Sequence, residues 1–197
     1  MSRGGGNVLR IVGGKWRSRR LRFLAAEGLR PTPDRVRETL FNWLQFEIGG
    51  ALCLDAFAGS GALGFEALSR GAGRVVMVER QYAQFQQLQA SAQELQAGNL
   101  EILNGDVLSL LRQPAEWQPR DGFDGVFLDP PFHRDLLPAI GALLHERQLL
   151  KRDAFVYVES ESEWPALGLP AAFRLQKSTQ AGLVQAFLAR YQPGGTP

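Results

Sequence analysis

The chain has 197 residues, of which 45% are hydrophobic and 21% charged, with a formal net charge of +2. This size and composition suit one folded domain with a full core and exclude a mostly disordered chain. One cysteine, Cys53, excludes an internal disulfide, and one thiol with two histidines is too few for a conventional zinc site, so we expect no metal. No apolar run approaches 18 residues and no secretory signal is recognisable, so we expect a cytoplasmic protein without a membrane partner.

The positive charge is concentrated near the start of the chain. Residues 1–37 contain ten lysines and arginines against two acids, a local charge of +8, whereas the other 160 residues carry twelve basic and eighteen acidic side chains, a charge of −6. A basic arm on an acidic body indicates a partner with many negative charges, with a solubilising or disordered tail as the alternative.

The first predicted elements are a hairpin and a helix. Two β-prone runs, 8–12 and 15–23, flank Gly13-Gly14, which is typical of a hairpin with a two-residue turn. Thr32 and Pro33 then suit the N-cap and first position of a helix, whose apolar residues recur at helical spacing to about Ile48.

From residue 51 onward the sequence alternates between strand and helix patterns. The predicted strands are 51–55, 74–79, 100–103, 123–128, 154–159, 173–177 and 183–191, and the predicted helices are 62–70, 82–95 and 136–147. This alternation predicts an α/β, Rossmann-like fold with a seven-stranded, mostly parallel sheet whose last strand is antiparallel. We divide the chain into a basic extension (1–48), a catalytic domain (49–192) and a flexible tail (193–197). The glutamine-rich face of the helix at 82–95 is interpreted as a solvated surface.

A glycine-rich turn follows the strand at 51–55. Gly59 and Gly61 lie between that strand and the next helix, where backbone amides can approach a ligand. Gly59, Gly61 and Gly64 also satisfy G-x-G-x-x-G, with Glu79 twenty positions after Gly59, as in dinucleotide-binding sites. The motif alone therefore leaves open an NAD-type site or a tight turn without a ligand.

Four acids follow four of the predicted strands: Asp55, Glu79, Asp106 and Asp129. Parallel strands place their carboxyl ends at one edge of a sheet, where ligands bind in open α/β folds. S-adenosylmethionine offers a sulfonium, an ammonium, a ribose diol and an adenine amine, and it has no phosphate. An acidic edge therefore favours this cofactor over NAD.

The fourth of these strands runs directly into Asp129-Pro130-Pro131-Phe132. A nucleobase amine is a poor nucleophile because its lone pair is delocalised into the ring. The Asp129 carboxylate and the Pro130 carbonyl could accept hydrogen bonds from its N–H groups, the prolines would hold that carbonyl rigidly, and Phe132 offers a face for stacking. The motif predicts methyl transfer to a base amine, with a loop that merely ends the strand as the alternative.

The sequence resembles the RsmD family of bacterial 16S rRNA (guanine-N2)-methyltransferases. The resemblance is carried by residues 10–17, 30–41, 55–68 and 129–132, although Ala56 stands where leucine is common in the family. It implies a class I fold that binds S-adenosylmethionine and yields S-adenosylhomocysteine, with three groups of site residues. The cofactor residues would be Asp55, Phe57, Gly59, Gly61, Glu79, Arg80, Asp106 and Val107, with Glu79 at the ribose and Asp106 at the adenine. The target base would meet Asp129, Pro130, Pro131 and Phe132. The RNA contacts would be Arg10, Lys15, Arg17, Arg19, Arg20, Arg22, Arg35 and Arg37.

The resemblance also implies a substrate, guanine 966 of 16S rRNA in a largely assembled small subunit, with adjacent ribosomal proteins as further partners. We expect a monomer. The alternatives are an adenine-N6 or other RNA or DNA amino-methyltransferase, an NAD(P)-dependent oxidoreductase, and a ribosome-assembly factor without catalytic activity.

Overall fold

The computed structural model describes residues 7–24, 32–113, 115–131 and 135–194. Phe132 of the predicted base-binding motif and the end of the predicted tail lie outside these ranges. The strands are β1 (Asn7–Arg10), β2 (Arg20–Phe23), β3 (Leu52–Asp55), β4 (Arg74–Glu79), β5 (Leu100–Asn104), β6 (Phe123–Leu128), β7 (Leu150–Ser160), β8 (Phe173–Ala181) and β9 (Val184–Tyr191). The α-helices are α1 (Asp34–Trp43), α2 (Ala62–Ser69), α3 (Tyr82–Glu94), α4 (Val107–Arg112) and α5 (Leu136–Glu146).

Seven strands form one sheet in the order β5-β4-β3-β6-β7-β9-β8. The pairs among β5, β4, β3, β6 and β7 are parallel, and β9 is antiparallel to both of its neighbours. The predicted fold class is therefore confirmed. Helix α4 was not predicted, because its six residues are too few to show a helical period.

Helices cover the two faces of the sheet. Alternate strand residues point to opposite faces, so Cys53 and Met77 pack in one core with α1, α2 and α3, whereas Leu54 and Val76 pack in a second core with α4 and α5. The first core also contains apolar residues of β1 and β2. The predicted basic extension (1–48) and the predicted catalytic domain (49–192) therefore share one core. None of the helices in the described ranges is long and apolar enough to cross a membrane.

β1 and β2 form the N-terminal hairpin, but the predicted two-residue turn is wrong. The ladder runs from Asn7 opposite Phe23 to Arg10 opposite Arg20, and a short 3-10 helix (Gly14–Trp16) lies in the connection. Gly14 has a φ of +74°, and a Cβ there would lie 1.9 Å from the carbonyl oxygen of Ser69 in α2. This glycine is therefore required for close contact with α2.

The predicted start of α1 is displaced by one residue. Pro33 occupies the N-cap position without a side-chain cap, and the helix begins at Asp34. The Thr32 hydroxyl does not cap the helix because it donates to Glu159 Oε1 at the end of β7, over 2.6 Å. α1 ends at Trp43, and turns rather than helix lead to Ile48.

A buried carboxylate fastens the N-terminal segment to α2. Glu66 is fully buried and accepts backbone N–H bonds from Val12 (2.8 Å) and Gly13 (2.7 Å). It also accepts side-chain bonds from Arg37 Nη1 (3.2 Å) and Arg70 Nε (2.8 Å). Since α2 follows the glycine-rich turn, this network fixes the basic extension relative to that turn.

Candidate active site

The four predicted acids lie along the carboxyl edge of the sheet and are here called the acidic rim: Asp55, Glu79, Asp106 and Asp129. In the sheet, Asp55 lies level with Met77 of β4 and Phe127 of β6, so Glu79 and Asp129 each lie two residues beyond it on neighbouring strands. Asp106 lies two residues beyond Asn104, which is opposite Glu79. The structure thus brings these acids to one edge, where open α/β sheets bind ligands.

The glycine-rich turn has backbone conformations and close contacts that residues other than glycine rarely accommodate. Gly59 and Gly61 have φ values of +49° and +81°. A Cβ on Gly61 would lie 2.5 Å from the Phe65 ring, and a Cβ on Gly64 would lie 2.3 Å from the Met77 methyl group and 3.1 Å from Asp55 Oδ2. Glycine at these positions lets the start of α2 approach the acidic rim closely.

Glu79 and Gln84 hold the turn in place. Glu79 Oε2 accepts the Gly59 N–H over 2.9 Å, and its Oε1 accepts the Gln81 N–H over 2.7 Å. Gln84 Nε2 donates to the Gly59 carbonyl (2.7 Å), and its Oε1 accepts the Leu24 N–H at the end of β2 (3.0 Å). Gln84 is buried, so the prediction of a solvated glutamine face is wrong at this position.

Asp55 is the most deeply buried acid of the rim, with 2% of its surface exposed. Burial raises the pKa of Asp55 to about 7, and the charge of Glu79 adds to the rise, whereas hydrogen bonds from the amides of Gly64 and Phe57 oppose it. Burial likewise raises the pKa of Glu79. Both carboxylates would be stabilised by a ligand that brings positive charge or hydrogen-bond donors.

Of the remaining predicted cofactor residues, Phe57 follows β3 and is partly buried, and the others lie at the ends of β4 and β5. Asp106 is exposed and caps α4, since its Oδ1 accepts the backbone N–H and the hydroxyl of Ser109, both over 3.0 Å. Val107 is buried at the first position of α4. Arg80 is exposed, and its carbonyl accepts Asn104 Nδ2 over 3.2 Å. The residues at the ends of β4 and β5 line the part of the rim furthest from Asp129.

Asp129 and Pro130 are partly buried directly after β6, and Pro131 is exposed. Loss of water around the Asp129 carboxylate raises its pKa well above the usual range, and the charges of Glu159 and Asp55 raise it further. Asp129 lies two residues beyond Phe127, which pairs with Asp55, so the two acids lie on neighbouring strands at the same edge. Phe132 is outside the described residues, so its stacking role stays a prediction.

Glu159 is an acid of this edge that the sequence analysis did not include. It follows Val158, which pairs with Leu128, so Glu159 lies level with Asp129 on the neighbouring strand. The signal was present, because Glu159 ends a predicted strand in the same way as the other acids. It is 5% exposed, and its Oε1 accepts bonds from the hydroxyls of Thr32 (2.6 Å) and Tyr157 (2.8 Å).

Most of the predicted RNA contacts are exposed: Arg10, Lys15, Arg17, Arg19, Arg20, Arg22 and Arg35. On the hairpin, Arg20 and Arg22 alternate with buried Leu21 and Phe23, and Arg10 lies opposite Arg20. Like charges opposite each other destabilise a strand pair, but Arg10 also pairs with Asp34 Oδ2 over 2.8 Å, which offsets part of this cost within the chain.

The prediction that Arg37 contacts RNA is wrong. Its side chain has no exposed surface, and it donates to the carbonyls of Thr32 (3.2 Å) and Arg10 (2.8 Å) and to the carboxylates of Asp34 (2.5 Å) and Glu66 (3.2 Å). A guanidinium enclosed in this way stabilises the fold and has no surface for a phosphate.

The opposite edge of the sheet carries a shallow cavity of about 320 Å³, lined in part by Asp124 and Lys151. These two charges pair with each other over 2.7 Å, and Asp124 also accepts the Leu52 N–H over 2.8 Å. This edge holds the amino ends of the parallel strands, which is the wrong edge for a ligand in such folds. Within the described ranges, no group of three or more His, Cys, Asp or Glu side chains could hold a metal ion.

The sheet order, the glycine-rich turn and the acids at the carboxyl edge define a Rossmann-like methyltransferase fold. A solved RNA methyltransferase from Salinibacter ruber, in complex with S-adenosyl-L-homocysteine, shares this fold with a TM-score of 0.61 at 16% identity, over 85% of this chain and 97% of that one. A putative methyltransferase from Escherichia coli matches with a TM-score of 0.82 at 44% identity, over 94% of this chain and 99% of that one.

The sequence comparisons lead to one family. A family model described as Conserved hypothetical protein 95 matches residues 9–190. Proteins named Ribosomal RNA small subunit methyltransferase D are 46% identical in Haemophilus influenzae, over 89% of this chain and 90% of theirs, and 46% identical in Escherichia coli, over 91% and 88%. The chain belongs to this family, as the sequence resemblance indicated.

Proposed function

We propose that this protein transfers a methyl group from S-adenosylmethionine to the exocyclic N2 of a guanine in small-subunit rRNA, guanine 966 within a largely assembled subunit. The observation that carries the proposal is the position of Asp129 at the carboxyl edge, beside Asp55 and next to the glycine-rich turn. The relatives' names support the rRNA substrate. The predicted base-binding motif and the family resemblance support the guanine amine.

The acidic rim fits this cofactor better than a dinucleotide. Asp55 and Glu79 would hold its ammonium and its ribose hydroxyls, and Asp106 would accept from the adenine amine. When bound, S-adenosylmethionine supplies a methyl group on a positively charged sulfur. A pyrophosphate would instead meet the charges of Asp55 and Glu79, which disfavours the NAD(P)-dependent alternative.

Asp129 and Pro130 would act on the target amine. The Asp129 carboxylate and the Pro130 carbonyl accept its N–H hydrogen bonds, which returns electron density to the nitrogen lone pair and fixes its direction. Burial and acidic neighbours raise the pKa of Asp129 in the protein without ligand, and the positive charge of the bound cofactor would lower it again. The ionised carboxylate would then accept from the amine and take the proton that the amine releases on methylation.

We also propose that the hairpin brings RNA to this site. Leu24, at the end of β2, is joined through Gln84 to the Gly59 carbonyl of the glycine-rich turn. Arg22 lies two residues before Leu24 and is exposed. The strand that carries Arg22 is thus tied to the glycine-rich turn, which supports a role of the hairpin in RNA binding, and arginine forks suit the phosphates of a folded RNA.

The test uses an Asp129→Asn variant with small subunits isolated from cells that lack this enzyme. The asparagine keeps the shape of the side chain but cannot take a proton, so we expect methyl transfer to fall at least 100-fold. Calorimetry should give an affinity for S-adenosylhomocysteine within a few fold of the wild type, because Asp129 is not among the proposed cofactor contacts. Asp153→Asn, on an exposed residue at the opposite edge, is the matched control and should leave both quantities unchanged.

Mass spectrometry of the rRNA then identifies the modified nucleotide, with naked rRNA and assembled subunits as parallel substrates. Methyl groups on an adenine, or tight binding of NAD(P) without binding of S-adenosylhomocysteine, would contradict the proposal. Equal loss of turnover and cofactor affinity in Asp129→Asn would show that Asp129 binds the cofactor instead. Subunit binding without any methylation by the wild type would favour the assembly factor.

A further inference from the structure

Glu159 lies beside Asp129 on the neighbouring parallel strand, and adjacent strands are about 4.8 Å apart. Tyr157 and Phe127 pair across the two strands and pack in the same core with Cys53. Glu159 follows Tyr157 by two residues, so its side chain lies on that same face of the sheet. The interaction of the Glu159 charge with Asp129 agrees with this placement.

The two oxygens of the Glu159 carboxylate have different surroundings. Oε1 accepts both hydroxyl bonds, from Thr32 and Tyr157, which fix the orientation of the group. Among the described residues, no donor bonds to Oε2. Glu159 is level with Asp129 on the neighbouring strand and keeps 5% of its surface exposed, so Oε2 is the oxygen that a ligand beside Asp129 could reach. The side chain is thus a buried, oriented carboxylate with one acceptor available to a ligand.

Two neighbouring acceptors match one edge of guanine. Guanine has adjacent donors there, the N1–H and the N2 amine, and enzymes that act on a flipped base read its Watson–Crick edge. On the basis of the proposed function, we infer that Glu159 is the residue that selects guanine, by accepting the N1–H through Oε2 while Asp129 accepts from the N2 amine. The hydroxyls of Thr32 and Tyr157 are positioning groups for this carboxylate.

This arrangement also rejects other bases. Adenine has a lone pair at N1, which would face the lone pairs of Glu159 when that carboxylate is ionised. 2-Aminopurine is the sharper probe, because it keeps the amine at position 2 but has a lone pair at N1. With such a base, the buried acceptor would be left without a hydrogen-bond donor. A site that recognises its substrate by hydrogen bonds then loses much of its activity.

The experiment compares guanine with 2-aminopurine at the target nucleotide of small subunits assembled from ligated rRNA. For the wild type we expect kcat/KM to be at least 100-fold higher with guanine. In Glu159→Gln, the amide oxygen can keep the Thr32 and Tyr157 bonds while the NH₂ group donates to a lone pair at N1. The preference should therefore fall below tenfold or reverse.

Tyr157→Phe and Thr32→Val are the matched controls. Each removes one bond to Oε1 and leaves Oε2 unchanged, so kcat should fall for both bases while their ratio stays within threefold of the wild-type ratio. A purely structural Glu159 would behave in the same way. An unchanged ratio in Glu159→Gln would overturn the inference, as would a wild type that methylates both bases within threefold of each other.

These outcomes separate the two proposals. Loss of the preference in Glu159→Gln, with methylation of guanine N2 by the wild type, supports both of them. An unchanged preference with the same wild-type product refutes only the role of Glu159. A wild type that does not methylate guanine refutes the proposed function itself. If Glu159→Gln does not fold, the wild-type comparison can still refute the inference, since a wild type without a preference for guanine leaves Glu159 nothing to select.

Discussion

Replacing Arg37 with methionine tests the buried network that joins the N-terminal segment to α2. Arg37 and Glu66 are both fully buried, and removal of Arg37 leaves the buried Glu66 charge with only part of its compensation. Such a loss costs about 3–5 kcal/mol of unfolding free energy. For a chain of this size, about 2–4 °C per kcal/mol gives a fall in Tm of roughly 6–20 °C. The remaining compensation comes from the Arg70 side chain and two backbone amides, which still donate hydrogen bonds to Glu66.

Urea unfolding followed by circular dichroism gives the free energy, and calorimetry gives the Tm. Arg35→Met is the matched control, since Arg35 lies two residues earlier in α1 and is exposed. We expect its unfolding free energy to stay within about 0.5 kcal/mol of the wild type. An Arg37→Met protein within 1 kcal/mol of the wild type, or no less stable than Arg35→Met, would refute the assignment of Arg37 to the folded core.

Two further predictions concern ligand binding. Because the pKa of Asp55 is raised to about 7, its proton must leave before the carboxylate can hold an ammonium, so the affinity for S-adenosylhomocysteine should fall up to about tenfold per pH unit below 7. Calorimetry between pH 5.5 and 8.5 checks this, and a slope that persists in Asp55→Asn would contradict it. The exposed Arg17, Arg20 and Arg22 should contact phosphates, so their joint replacement by alanine should lower the salt slope of subunit binding by about 2–3. Binding titrations between about 50 and 300 mM KCl measure the slope. An unchanged slope would show that the hairpin does not contact RNA.

The sheet could be predicted closely because its signals are local. β4 and β6 each contain an apolar run, 75–78 and 126–128, that leads directly to an acid, and the predicted and observed bounds of both strands agree. The edge that carries the acidic rim followed from parallel pairing alone. Glu159 could have been found by the same rule, since the strand that it ends was predicted.

The errors arose where a distant residue determines the local structure. The Thr32 hydroxyl suits an N-cap in the local sequence, but in the structure it donates to Glu159, which lies 127 positions later. Gly13-Gly14 is typical of a tight turn, but contact with Ser69 in α2 gives these glycines another role. Arg37 reads as one more basic residue of an arginine-rich segment, because nothing near it in the sequence shows that it pairs with Glu66. Burial by a distant element is not visible in a local pattern.

The most direct test of the central claim, that the acidic rim binds the methyl donor, is a crystal structure of the protein with S-adenosylhomocysteine. The account predicts the ligand at the carboxyl edge of the sheet, with its ribose hydroxyls within hydrogen-bond distance of the Glu79 carboxylate and its ammonium beside Asp55. Ligand density at the opposite edge, in the cavity beside Asp124 and Lys151, or a ligand that leaves Asp55 and Glu79 without contact, would contradict it.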